Sequence, residues 1–103
     1  MDASKQQRLQ KAGWRLGDAK EFLRLTPVES GLVEVRWLLA ASVREARLQQ
    51  HLTQARLASL LGSSQSRVAK LEAGDPSVSL DLLVRALLVL GIDVRGIGER
   101  LVR

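Results

Sequence analysis

Between Leu52 and Glu72 the chain places two hydroxyl residues, Thr53 and Ser64, each ahead of an apolar pattern of helical period, with Gly62 between them. That arrangement predicts two short helices joined by a tight turn. Thr53 and Ser64 are residues that cap a helix by accepting a hydrogen bond from a first-turn backbone N–H. Gly62 ends the first helix, because glycine takes a positive φ without a Cβ penalty. Leu57, Leu61, Val68 and Leu71 supply a shared core, and Ala58 is small where the helices would cross closely. The second helix, expected to stop at Gly74, is left showing Gln65, Ser66, Arg67 and Lys70 to solvent.

The flanks read as helix as well. Thr26-Pro27-Val28-Glu29 is a start signal, with a cap, a proline where a missing N–H costs nothing, and a carboxylate that complements the dipole. That helix should run to about Gln50, burying a stripe of Val28, Leu32, Val35, Leu39, Val43 and Ala46. Asp75-Pro76 forces a turn, and Ser79 caps a further helix to Leu90 with Gly91 as its stop. That last helix is apolar nearly all round, which predicts burial on two sides. Upstream, Asp18 and Glu21 could form a capping box for a short helix presenting Phe22, Leu23 and Leu25. Residues 1–13 are polar and aperiodic and read as a flexible arm; residues 92–103 mix apolar and basic side chains without settling a structure. The expected organisation is an arm over 1–13, a helical domain over 14–91 with the two-helix unit at about 53–73, and a tail over 92–103.

Composition agrees with one all-α domain. Of 103 residues 46% are hydrophobic but only 3% aromatic, so the core must be aliphatic. Two prolines and a Leu/Ala/Arg-rich balance favour helix over sheet. The absence of cysteine removes disulfides and thiolate metal sites. His51 has no second histidine to build a metal site with, so neither metal nor cofactor is expected, and it reads as a solvent residue in a connector. Asp75, Asp81 and Asp93 read as turn, first-turn and post-helix residues, and no nucleophile–base pair points to an enzyme. Trp14, Phe22 and Trp37 are either packing residues or a partner surface. No apolar run reaches the roughly 18–20 residues that span a bilayer, and the N-terminus lacks a signal peptide's apolar segment, so the expected location is the cytoplasm.

Charge gives the first pointer to a partner. The chain carries a formal charge of +5, which suits a polyanion without identifying one. Over residues 44–74 five cations (Arg44, Arg47, Arg56, Arg67, Lys70) face two glutamates, Glu45 and Glu72. Glutamine pairs bidentately with adenine, and arginine or lysine with guanine, in the major groove of DNA. Thr53, Gln54 and Ser64 fall at helix N-termini, where backbone N–H groups favour a phosphate. Arg44 could meet phosphate or only water.

Written as Leu-Thr-Gln-x-x-Leu-Ala-x-x-Leu-Gly-x-Ser-x-Ser-x-Val-x-x-Leu-Glu, the segment resembles the Cro/phage-repressor (XRE-like) helix-turn-helix family. Ser79-Leu-Asp-Leu-Leu to Leu90-Gly91 resembles that family's following helix, and the likeness covers roughly residues 39–92. It implies a five-helix, lambda-repressor-like DNA-binding domain with an N-terminal extension. It also implies roles: Gln65, Ser66 and Lys70 on base edges, Arg67 on phosphate or base, Gln54 holding phosphate and bracing Gln65, and Arg47 and Glu72 as a structural ion pair. More loosely, Glu21-Phe-Leu-Arg-Leu-Thr and the long helix, over residues 14–50, are similar to HigA-like antitoxins, which bind an RNA-cleaving toxin and repress their own promoter. One recognition helix reads few base pairs, so a homodimer on a palindromic operator is expected, with half-sites roughly 34 Å apart. The surplus apolar surface of the last helix and of residues 92–103 is the candidate dimer surface. The alternative is a protein-interaction module that neutralises a toxin, its DNA binding vestigial.

Overall fold

The computed structural model describes residues 26–102, and among them every regular element is an α-helix. In chain order these are α1 (Pro27–Gln49), α2 (Gln54–Leu61), α3 (Gln65–Glu72), α4 (Leu80–Val89) and α5 (Val94–Leu101). Backbone contacts divide the chain into two units, residues 1–33 and 34–103. Of the first, only the start of α1 is described. The expected arm over 1–13 and the helix from Asp18 lie outside the described residues, as do Trp14 and Phe22.

Each start follows from a side-chain cap. The Glu29 N–H donates to Thr26 Oγ1 at 3.1 Å, Arg56 to Thr53 at 3.0 Å, Arg67 to Ser64 at 3.2 Å and Leu82 to Ser79 at 3.1 Å. Such a cap stabilises a helix by roughly 1 kcal/mol. The fifth start was not expected. Asp93 accepts from the Gly96 N–H at 2.8 Å, so this residue, read as merely following a helix, begins α5.

The ends of α1 to α4 share one device. The N–H of Leu52 donates to the Arg47 carbonyl, Ser63 to Ala58, Asp75 to Lys70 and Ile92 to Leu87, at 2.9 to 3.1 Å. Each bond closes over a residue of positive φ: His51 (58°), Gly62 (66°), Gly74 (73°) and Gly91 (87°). This is the closure in which the last free carbonyls of a helix are satisfied by the chain doubling back. Three of the four positions hold the glycine that the geometry favours; at His51 a side chain is carried there instead, against a cost of roughly 1–2 kcal/mol.

The core belongs to residues 34–103. Val43, Leu57, Val68, Leu71, Leu83 and Leu87 are fully buried, with Leu39, Ala40, Ala46, Ala58, Val78, Ala86 and Leu90 around them. It is aliphatic throughout, as the composition requires. Full burial of a leucine or valine contributes about 1.5–3 kcal/mol. α2 packs chiefly on α3 and also on α4, and α4 on α5.

Two packing expectations need correction. The stripe of α1 is buried from Leu39 onward, but Val28 is 72% and Leu32 49% exposed. Periodicity states which face is apolar and not whether anything covers it. α4 is covered over most of its circumference, with Leu80, Leu82 and Val84 half-buried against the core, but Leu88 and Val89 stay exposed beside Asp81 and Arg85, so its apolar surface is not wholly covered. No helix of the described residues is long and apolar enough to cross a membrane.

Candidate nucleic-acid interface

α3 is an eight-residue helix with two faces of different chemistry. Val68 and Leu71 point into the core at 1% and 0% exposure. At 100° per residue the opposite arc carries Gln65, Ala69, Ser66 and Lys70, with Arg67 at its edge; all five are exposed. Ser64 caps the helix and its hydroxyl lies 3.2 Å from that of Ser66. Ala69 escaped the sequence reading, since a lone methyl in a polar row carries no signal. On this face it is the one group fitted to touch a thymine methyl.

The electrostatics of the face depend on Glu72, the single carboxylate of α3. Its side chain is 3% exposed and accepts from Arg47 Nε at 2.6 Å and from Arg47 Nη2 at 3.0 Å. Gln54 Nε2 adds a third bond at 3.2 Å. Arg47 is itself buried and gives its remaining donor, Nη1, to the Leu52 carbonyl at 2.7 Å. The hydrogen bond to Glu72 raises the Arg47 pKa above its ordinary value, burial opposing the shift. With Glu72 turned inward and neutralised, the exposed face of α3 keeps two cations and no carboxylate.

The neighbouring groups fall at helix starts. Thr53 and Ser64 are exposed caps of α2 and α3, whose outermost backbone N–H groups have no partner within the helix. Gln54, the first residue of α2, is half-buried and its amide nitrogen donates to Glu72. Arg44 is exposed on α1. No group of histidine or acidic side chains among the described residues could hold a metal ion. Asp81 pairs with Arg85 at 2.9 Å on the surface of α4.

The 73–79 loop after α3 is built more tightly than its sequence suggests. Asp75 Oδ1 accepts from the Ser77 N–H at 2.8 Å, and hydrogen bonds from Ser77 are the main reason its carboxyl titrates below the usual aspartate range, with smaller help from Lys70 and Arg36. Arg36 of α1 donates a guanidinium N–H to the Val78 carbonyl. Gln50, just past α1, reaches the Leu90 carbonyl at 2.6 Å. Neither residue was singled out from the sequence. The signal was available for Arg36, a long donor eleven residues before Arg47 and so on the same face of α1.

A family model described as helix-turn-helix matches residues 43–97, more than half of the chain; it begins a few residues after the span that the resemblance covered and ends a few residues beyond it. No curated protein and no solved structure matches. With two capped helices about a glycine turn and a cationic outer face on the second, the chain belongs to the XRE-type helix-turn-helix family of DNA-binding transcription regulators.

Proposed function

We propose that this regulator is a repressor that binds a palindromic operator as a homodimer, with α3 in the major groove. The observation that carries the reading is the exposed face of α3: an amide, a hydroxyl, a methyl and two cations, with the helix's carboxylate removed from it by Arg47. Gln65, Ser66 and Lys70 are assigned to base edges. Arg67, at the edge of the arc, is assigned to phosphate or to an outer base. Thr53, Gln54, Ser64 and Arg44 are assigned to the phosphate backbone, where they fix register rather than read sequence.

Dimerisation is assigned to the C-terminal helices. Val94 and Val102 are 80% and 83% exposed, and Leu101, Leu88 and Val89 are partly exposed, at 37–49%. Apolar side chains so exposed on consecutive helices suit an isologous contact with a second copy. A regulator of this kind acts where the DNA is, in the cytoplasm.

A second partner has its own support. Val28 and Leu32, exposed at the start of α1, suit a toxin contact within residues 14–50. In that reading the repressor is the autoregulatory antitoxin of a toxin–antitoxin module, and co-purification with the product of an adjacent gene tests it.

For the DNA reading, Gln65→Ala is expected to cost about 1–3 kcal/mol and to relax specificity at one base pair. Fluorescence anisotropy against operator and scrambled duplexes measures both. Unchanged affinity and unchanged discrimination would remove α3 from the interface. Sedimentation that finds only monomer at high micromolar concentration, even with operator present, would remove the dimer.

A further inference from the structure

α3 is held at its end by two clamps, and only one of them touches α3 itself. The first is the Arg47–Glu72 pair. The second holds the turn that follows. Lys70 and Leu71 have their carbonyls closed by the N–H groups of Asp75, at 3.0 Å, and Gly74, at 3.2 Å. The turn they belong to is braced from outside by α1, at Gly74 and at Val78. A Cβ at Gly74 would meet three atoms of the Trp37 six-membered ring at 3.4 to 3.5 Å, so the ring lies against the backbone at the point of positive φ. Arg36 donates to the Val78 carbonyl at the far side of the same turn, and Val78 is 2% exposed. Residues 36 and 47 are eleven apart, three turns of helix. They therefore share a face of α1, with roughly 16.5 Å between them along its axis.

We infer that Arg36 and Trp37 are positioning residues for DNA recognition, which act by locking the 74–78 turn and so fixing where α3 ends and where Lys70 points. Released from Arg36, the turn loses its fixed point at Val78, and the carbonyls of Lys70 and Leu71 lose donors held in place. α3 can then unwind by its last turn. Lys70 lies in that turn; Gln65 and Ser66 do not. Phosphate contacts made from α2 and from the start of α3 are unaffected, so the effect falls on discrimination and not on general attraction to DNA. The inference rests on α3 being the reading helix.

The test compares Arg36→Gln, Arg36→Lys and Trp37→Phe with the parent and with Gln65→Ala, at a temperature where circular dichroism shows each variant folded. Specific and non-specific duplexes are titrated over a range of salt. Arg36→Gln is expected to lower the ratio of specific to non-specific affinity roughly five- to tenfold, less than the full worth of one hydrogen bond from a charged donor because only part of its loss reaches α3, with the non-specific affinity and its salt slope unchanged. Arg36→Lys, which keeps a cationic donor, and Trp37→Phe, which keeps a ring, recover most of the ratio. In amide exchange the N–H groups of Gly74 and Asp75 open faster in Arg36→Gln, while those of α2 do not. Equal losses for both duplexes, or faster exchange throughout, would overturn the inference and leave Arg36 a general stabiliser. Lost discrimination in Arg36→Gln beside an unaffected Gln65→Ala would instead overturn the reading of α3, and this inference with it.

Discussion

Replacing Glu72 by alanine tests whether the ion pair behind α3 is a keystone or an ornament. The change removes a carboxylate that accepts from Arg47 Nε at 2.6 Å, Arg47 Nη2 at 3.0 Å and Gln54 Nε2 at 3.2 Å. Arg47, whose side chain is 10% exposed, is left charged with two N–H groups unmet. Stripping one partner from a buried pair costs about 3–5 kcal/mol. Two features place Glu72→Ala at the lower end. Arg47 keeps its bond to the Leu52 carbonyl, and its remaining exposure admits some water. The expected loss is about 3 kcal/mol. A domain of this size shifts by about 4–8 °C per kcal/mol, so the midpoint should fall by roughly 12–24 °C. Converting both residues at once, Arg47→Met with Glu72→Leu, leaves no orphaned charge and should land within about 1 kcal/mol of the parent. Urea and thermal melts of the parent, both single variants and the double complete the cycle. A loss below about 1 kcal/mol in Glu72→Ala, or a double variant as unstable as the worse single, would refute the reasoning that desolvation makes the pair matter.

Other expectations follow from single features. His51→Gly should raise stability by about 0.5–1 kcal/mol, since His51 holds a φ of 58° at a position whose counterparts are glycine; a lower midpoint would contradict this. Gly62→Ala meets no neighbouring atom, so its expected cost of about 1–2 kcal/mol is purely that of a φ of 66°, visible in the same melts. Asp75 has a depressed folded-state pKa, so its contribution is present above the ordinary value of about 3.9 and is lost as pH falls through the folded value. An NMR titration midpoint for Asp75 at or above that ordinary value would be the contrary result. Val94→Glu with Leu101→Glu should shift sedimentation from dimer to monomer and weaken operator binding, while non-specific binding persists; an unchanged dimer would move the interface elsewhere.

Where the sequence was readable, it was readable through short-range rules. The caps Thr26, Thr53, Ser64 and Ser79, and the stops Gly62, Gly74 and Gly91, each act within five residues, so their effect on the backbone could be written down without a fold. The inner and outer faces of α3 followed from a 3.6-residue period and one known partner helix. What escaped depends on distance along the chain. Arg36 meets Val78 and Gln50 meets Leu90 across some forty residues, and neither side chain differs in type from a solvated one. α5 was missed because Gly96 and Gly98 weaken its helical pattern, although Asp93 was a cap in plain view. The exposure of Val28 and Leu32 was illegible for a different reason, since an apolar stripe looks the same whether or not it is covered.

The central claim is that α3 reads a DNA sequence and that two copies read it twice. Selection of bound duplexes from a random pool by the purified protein tests this with no operator assumed. The account predicts enrichment of a palindrome, its half-sites centred about one helical turn apart, with Gln65→Ala altering the preferred base at one position in each half. A pool that remains unenriched after repeated rounds at moderate salt, or one enriched identically by the parent and by Gln65→Ala, would contradict it.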